Sequence, residues 1–170
     1  MDLFQALKTR RSVRAFTGAR IPEEQIREIL ECGTYAPSAL NAQPWHFIVV
    51  DDRKIFPDLM RIHPYISALA NASHAVILCA DKALERAPGN WVLDCSACMQ
   101  NMLLAAHGLG YGAVWAGIYP NQERMANFCK YFRLPDTVEA HGIMVVGIPQ
   151  DPLPVVTDRY QESKVHQNQW

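Results

Sequence analysis

Arg10-Arg11-Ser12-Val13-Arg14 sets three guanidinium groups and a hydroxyl within five residues. A guanidinium holds phosphate through paired N–H bonds, and a hydroxyl adds a neutral donor. The same run suits a helix end, where positive charge complements the helix dipole. Spacing alone leaves both readings open. A second cluster is Ala36-Pro37-Ser38-Ala39-Leu40-Asn41-Ala42-Gln43-Pro44-Trp45. Its prolines fix the chain, and Trp45 is a large apolar anchor. Ser38, Asn41 and Gln43 offer donors and acceptors able to read the edge of a planar heterocycle. Pro, Ser and Asn also fill ordinary helix-to-strand connections for turn reasons, and residue type alone favours that plainer reading.

A third cluster is Gly108-Leu109-Gly110-Tyr111-Gly112, followed by Ala113 to Pro120. Its spacing is G-x-G-x-G, and it follows a helix and precedes a strand. The dinucleotide fingerprint needs G-x-G-x-x-G in the reverse context, so a Rossmann reading is rejected. A glycine at 117 lets a backbone N–H approach a ligand closely. Cys95-x-x-Cys98 lies inside an apolar helix rather than at an exposed helix start, and zinc would need two further ligands at suitable spacing. Both cysteines read as structural, and no metal site is expected. The histidines at 46, 63, 74, 107, 141 and 166 do not cluster in sequence. Asp94 sits in the same apolar helix as the cysteines. A structural hydrogen bond or a buried arginine partner is its expected role. No G-x-S-x-G, H-E-x-x-H or P-loop motif is present.

Short helices and strands must position these groups. Asp2 with Gln5 reads as a capping box for a first helix, with Leu3, Phe4 and Leu7 as its apolar face. Pro22, Glu23 and Glu24 open a second helix, whose stripe is Ile26, Ile29 and Leu30 and whose stop is Gly33. His46–Val50 is a β-branched strand. Weak helical pattern covers 53–60 and 65–71, broken at His63-Pro64. Ala75–Ala80 is apolar throughout, the pattern of a central strand covered on both faces. Residues 81–89 read as a loop or short helix. The longest helix, Trp91 to His107, is apolar nearly all round and belongs in a core or an interface. Gly112–Ala116 is a short strand, 121–131 a helix and Ile143–Ile148 a last strand. From Pro149 the chain is a proline-bearing tail ending in Trp170. The order is that of helices covering a sheet, α/β or α+β.

With 170 residues the chain fits one domain. Lys and Arg total 16 against 17 Asp and Glu, a formal net charge of -1, which argues against a bulk electrostatic nucleic-acid binder. No apolar run reaches the roughly 18 residues of a membrane span. The first residues lack the order of a signal peptide, and five cysteines suit a reducing compartment, so a cytoplasmic protein is expected.

The ordered segments resemble the FMN-dependent nitroreductase family. RRSVRAF at 10–16, APSALNAQPWHFIVV at 36–50 and QNMLLAAHGLGYGAVWAGIYP at 100–120 carry the resemblance; MVVGIP at 144–149 and DRYQESKVHQNQW at 158–170 extend it. It implies an α+β fold with a central, mixed, mostly antiparallel sheet flanked by helices. It also implies a single domain over 1–170 and an intertwined homodimer in which 150–170 wraps the partner. Two FMN sites would lie at the dimer interface. By position, Arg10, Arg11 and Ser12 would meet the phosphate and ribityl chain, Arg14 the pyrimidine edge, and Arg159 the phosphate again. Pro37, Ser38, Ala39, Asn41 and Gln43 would come from the partner. Ala116 and Gly117, with Trp115 and Ile118 alongside, would bring backbone N–H to flavin N5, with no catalytic side chain. Ala116 stands where some members carry an acidic residue. The implied activity is ping-pong transfer from NAD(P)H through FMN to flat acceptors such as nitroaromatics or quinones. The competing readings are a flavin-binding protein without turnover, a carrier or redox sensor, and a structural protein whose arginines form a surface patch.

Overall fold

The computed structural model describes residues 1–152 and 159–170. Two apolar strands, β2 (His74–Asp81) and β4 (Val138–Gly147), pair at the centre of the sheet. β1 (Trp45–Val50) pairs outside β2 and β3 (Gly112–Gly117) outside β4, giving the order β1-β2-β4-β3. Seven of the eight residues of β2 are buried, as its unbroken apolar run requires. Every strand pairing is antiparallel. Among the described residues the parallel component expected of a mixed sheet enters only as one isolated bridge, Ser12 to Ala113.

Among the described residues five α-helices flank the sheet. They are α1 (Leu3–Thr9), α2 (Glu23–Thr34), α3 (Phe56–Ile62), α4 (Trp91–Gly108) and α5 (Gln122–Phe132). Asp2 caps α1 by accepting from the Gln5 amide at 2.9 Å. Leu3, Phe4 and Leu7, its apolar face, stay exposed within the chain, and only Ala6 is buried. α4 turns Cys95, Cys98, Met99, Met102 and Ala106 into the core and leaves Leu93 exposed. No helix of the described residues is long and apolar enough to cross a membrane.

Several boundaries depart from the expectations. Gly33 does not stop α2, which continues to Thr34. A Cβ on Gly33 would lie 2.7 Å from Met102 Cγ, so this glycine serves close packing of α2 on α4. The helical pattern at 53–60 resolves into a 3-10 turn at Arg53–Ile55 and then α3, while 65–71 yields only a 3-10 turn at Ser67–Asn71. β4 begins five residues before the expected Ile143. Its pairing skips one position, Leu78 facing Gly142 and Cys79 facing Ala140, which makes His141 the extra residue of a β-bulge. That bulge breaks the apolar alternation that would have shown the strand.

Candidate functional site

The 10–17 segment leaves α1 and lies along the outer edge of the sheet. Val13 N–H donates to Ala113 C=O at 3.0 Å, Thr17 N–H to Ile148 C=O at 3.0 Å, and Gln150 N–H to Ala15 C=O at 3.0 Å. Gly112 makes the approach feasible, since a Cβ there would lie 2.8 Å from Val13 Cβ. Val13 and Phe16 are buried, while Ser12, Arg14 and Ala15 are exposed.

Arg10 and Arg11 are half-buried beside the C-terminal end of α4, where His107 Nε2 meets Thr9 Oγ1 at 2.8 Å. Thr9 Oγ1 donates to Gln5 C=O at 2.7 Å, so the imidazole supplies the hydrogen. Burial, then the positive charges of Arg11 and Arg159, hold Arg10 below the usual arginine range. That coupling brings Arg159 of the tail to the Arg10–Arg11 pair. Among the described residues no carboxylate forms an ion pair with Arg10. Burial and these same two arginines, Arg10 and Arg11, also lower His107. Guanidinium groups gathered this way can hold a multiply charged anion. Arg10, Arg11 and Arg159 thus lie near one another, whereas Arg14 stands apart on the exposed side of Val13.

The 36–45 loop is braced internally. Gln43 N–H donates to Ser38 Oγ at 3.0 Å, and Gln43 Nε2 to Asn41 Oδ1 at 2.7 Å. Leu40, Asn41 and Gln43 all have positive φ, of 52°, 54° and 49°. Three non-glycine residues in this region are a strained arrangement that its surroundings must hold. Asp94 does part of that, accepting from Ala39 N–H at 2.9 Å while itself buried. Of the two roles expected of Asp94, the structure has the structural hydrogen bond. Sequence reasoning did not connect Asp94 to this loop, because the two are 55 residues apart.

Ala113 turns its C=O outward to Val13, so alternation also turns the backbone of Trp115 and Gly117 off the edge of β3 and that of Ala116 toward β4. Gly117 is exposed, and its carbonyl accepts from Arg124 Nη1 at 2.7 Å and meets His63 Nε2 at 3.0 Å. Ile118 is fully buried. The Trp115 indole lies across Gly142 and 5.5 Å from the His141 ring. Ser96 Oγ donates to Val92 C=O at 2.6 Å, so at 3.2 Å it accepts from His141 Nε2. His141 Nδ1 and Trp115 Nε1 are buried without a hydrogen-bond partner among the described residues. Burial pushes His141 down to about 4. His63, Arg124 and His141 were not singled out by sequence reasoning, and none lies in a segment that signals it.

Arg10, Arg11, Ser12 and Arg159 therefore meet at one end of the β3 edge, and Gly117 closes the other, about 13 Å along the strand. The loop at 37–43 sits elsewhere. It docks on Asp94 near the start of α4, while the arginines adjoin His107 near its end, 13 residues or about 20 Å of helix away. Among the described residues, no group of three or more His, Cys, Asp or Glu is placed to hold a metal ion. Cys95 and Cys98 are buried, and burial raises both thiols, Cys98 to about 12, as inert core residues require.

A profile of the nitroreductase family matches residues 7–148. A protein of Methanothermobacter thermautotrophicus assigned as an NADH dehydrogenase/NAD(P)H nitroreductase is 41% identical over 170 residues, which is 100% of this chain and 88% of the relative. The chain belongs to the nitroreductase family. By that full-length likeness it is an oxidoreductase of the nitroreductase type. The fold agrees. A crystal structure assigned as an NADH oxidase from Clostridium acetobutylicum superposes with a TM-score of 0.93 at 33% identity, covering 97% of this chain and 99% of the other. One assigned as a nitroreductase from Desulfovibrio desulfuricans, solved with FMN, gives 0.86 at 29% identity over 100% and 98% of the two chains.

Proposed function

We propose that this nitroreductase-family chain binds FMN along the outer edge of β3 and uses it to pass electrons from NAD(P)H to flat acceptors such as nitroaromatics or quinones. The observation that carries the reading is the cluster of Arg10, Arg11 and Arg159 at one end of an outward-facing strand edge that closes at Gly117. A phosphate matches the cluster, and Ser12 adds a neutral donor beside it. Arg14, exposed on the same strap, suits the pyrimidine edge of the ring. The outward backbone N–H of Gly117 suits flavin N5, with Trp115 and Ala116 beside it. When bound, FMN would supply the two-electron redox chemistry between donor and acceptor. The protein's part is to anchor the phosphate, orient the ring and leave one face open.

Pro37, Ser38, Ala39, Asn41 and Gln43 lie a helix length from the cluster, which supports a site completed by a second copy of the chain. The described tail supports the same arrangement. Residues 159–170 are all exposed, Tyr160, Val165 and Trp170 among them, as expected of a segment that finds its cover on a partner. Five free cysteines are compatible with a reducing, cytoplasmic setting.

An anaerobic visible spectrum of the purified, FMN-supplemented protein tests the reading. Flavin bands that bleach on adding NADH or NADPH are the expected result, and the effective donor is identified by the same titration. Bands that persist with both donors would favour a flavin carrier or sensor. Failure to bind FMN would remove the flavin site altogether.

A further inference from the structure

Gly117 ends the strand edge on which the flavin reading rests, and its carbonyl is held from two directions. Arg124, in the first turn of α5, donates from Nη1 at 2.7 Å. His63, just after α3, lies at 3.0 Å through Nε2. The tautomer of His63 follows from its other nitrogen. Tyr65 N–H donates to His63 Nδ1 at 3.3 Å, so Nδ1 is the acceptor and Nε2 carries the hydrogen given to Gly117. His63 is buried between the Tyr65 and Phe128 rings, each edge-on, with centroids 6.1 and 6.3 Å away. Arg124 lies over the exposed Tyr65 ring with Cζ 5.7 Å from its centroid. A carbonyl at an exposed strand end can be satisfied by water. Here both of its lone pairs are taken by protein donors, one of them a permanent cation, and these come from two separate elements. The phosphate cluster and the loop at 37–43 make no use of these residues.

We propose that Arg124 is a positioning residue for the ring end of the site. Clamped with His63 on Gly117 C=O, it anchors the strand end that carries the Gly117 N–H and keeps a positive charge beside the redox-active part of the flavin. The proposal rests on FMN lying along the β3 edge. A fixed cation there favours the more negative, reduced form of the ring and makes the flavin easier to reduce. The clamp also depends on His63 remaining neutral. The groups facing it are Arg124, the Gly117 carbonyl, and the Tyr65 and Phe128 rings, with no carboxylate among them. Burial, then the charge of Arg124, hold the imidazole below its ordinary range. A proton on Nδ1 would confront the Tyr65 N–H.

The test compares native protein with Arg124→Met and Arg124→Lys. Three quantities are read: the reduction potential of bound FMN by spectroelectrochemical titration, the FMN Kd, and the His63 titration by NMR in flavin-free protein. In Arg124→Met the bound flavin should be harder to reduce, and Arg124→Lys should recover part of the difference. FMN Kd should change by less than about tenfold, because Arg124 is remote from the phosphate cluster. In flavin-free Arg124→Met, His63 should titrate at higher pH than in native protein. An unchanged potential in an Arg124→Met protein that still binds FMN overturns the proposal and leaves the flavin reading intact. So does a lysine variant no closer to native than methionine. Native protein that binds no FMN overturns both. If Arg124→Met does not fold, Arg124→Gln carries the same expectations.

Discussion

Arg11 and Asp94 illustrate how single side chains divide the work. Arg11 belongs to a cluster in which its charge opposes that of Arg10. Arg11→Ala should weaken FMN binding by about 2 kcal/mol, the scale of a lost charge-assisted hydrogen bond, as read by fluorescence titration. Unchanged affinity would remove Arg11 from the site. Asp94 works on the protein itself by holding the Ala39 amide. Asp94→Ala should cost about 1–2 kcal/mol of stability in chemical denaturation, since a half-buried backbone donor loses its acceptor, and Asp94→Asn should cost less. These two kinds of residue were unequally legible. The arginines announce themselves by type and spacing, and Asp94 by its place in an apolar helix. His63 and Arg124 left no trace in the sequence. They converge on a backbone carbonyl 54 and 7 positions away, and every residue has a carbonyl.

At the level of elements, the strap at 10–17 is held by backbone bonds and by the absence of a side chain at Gly112. Gly112→Ala would set a Cβ against Val13 and push the strap off the strand. It should cost about 1–3 kcal/mol in a thermal melt, the scale of overpacking, and weaken FMN binding without touching any contact residue. A variant as stable as native with native FMN affinity would show that the strap tolerates the shift. Elements with a clean period were readable: β2 from its apolar run, α2 from its stripe, α4 from its length. β4 was found only in its second half, because the His141 bulge and the polar Glu139 obscure its start. Gly33 misled for a related reason. Helix-end signals and close-packing signals use the same residue, and only the facing Met102 distinguishes them.

For the molecule as a whole, four histidines are held below their ordinary values with burial as the first cause, and His141 is lowest at about 4. Their unfolded values lie near 6.5, so the unfolded chain takes up protons first as pH falls. The stability they contribute is complete above about pH 6.5 and is lost progressively down to about pH 4, where His141 alone accounts for about 3 kcal/mol. Melting temperature should fall through that window, and His141→Gln should flatten the fall. A native-like slope in that variant would place the effect elsewhere. Deleting residues 159–170 should lower both dimer content and flavin retention in size-exclusion chromatography with light scattering, and a stable yellow dimer without them would refute the wrapping role. A dimer is implied only through family resemblance, because a surface that seeks its own copy looks in sequence like any apolar surface. The separation of the arginine cluster and the 37–43 loop at opposite ends of α4 has a genetic consequence. Each site in a dimer would draw the cluster from one chain and the loop from the other. A chain crippled in its arginines and a chain crippled in its loop, each colourless alone, would when co-expressed give mixed pairs with one site carrying both lesions and one carrying neither. Two silent alleles should thus complement each other and restore colour to the protein.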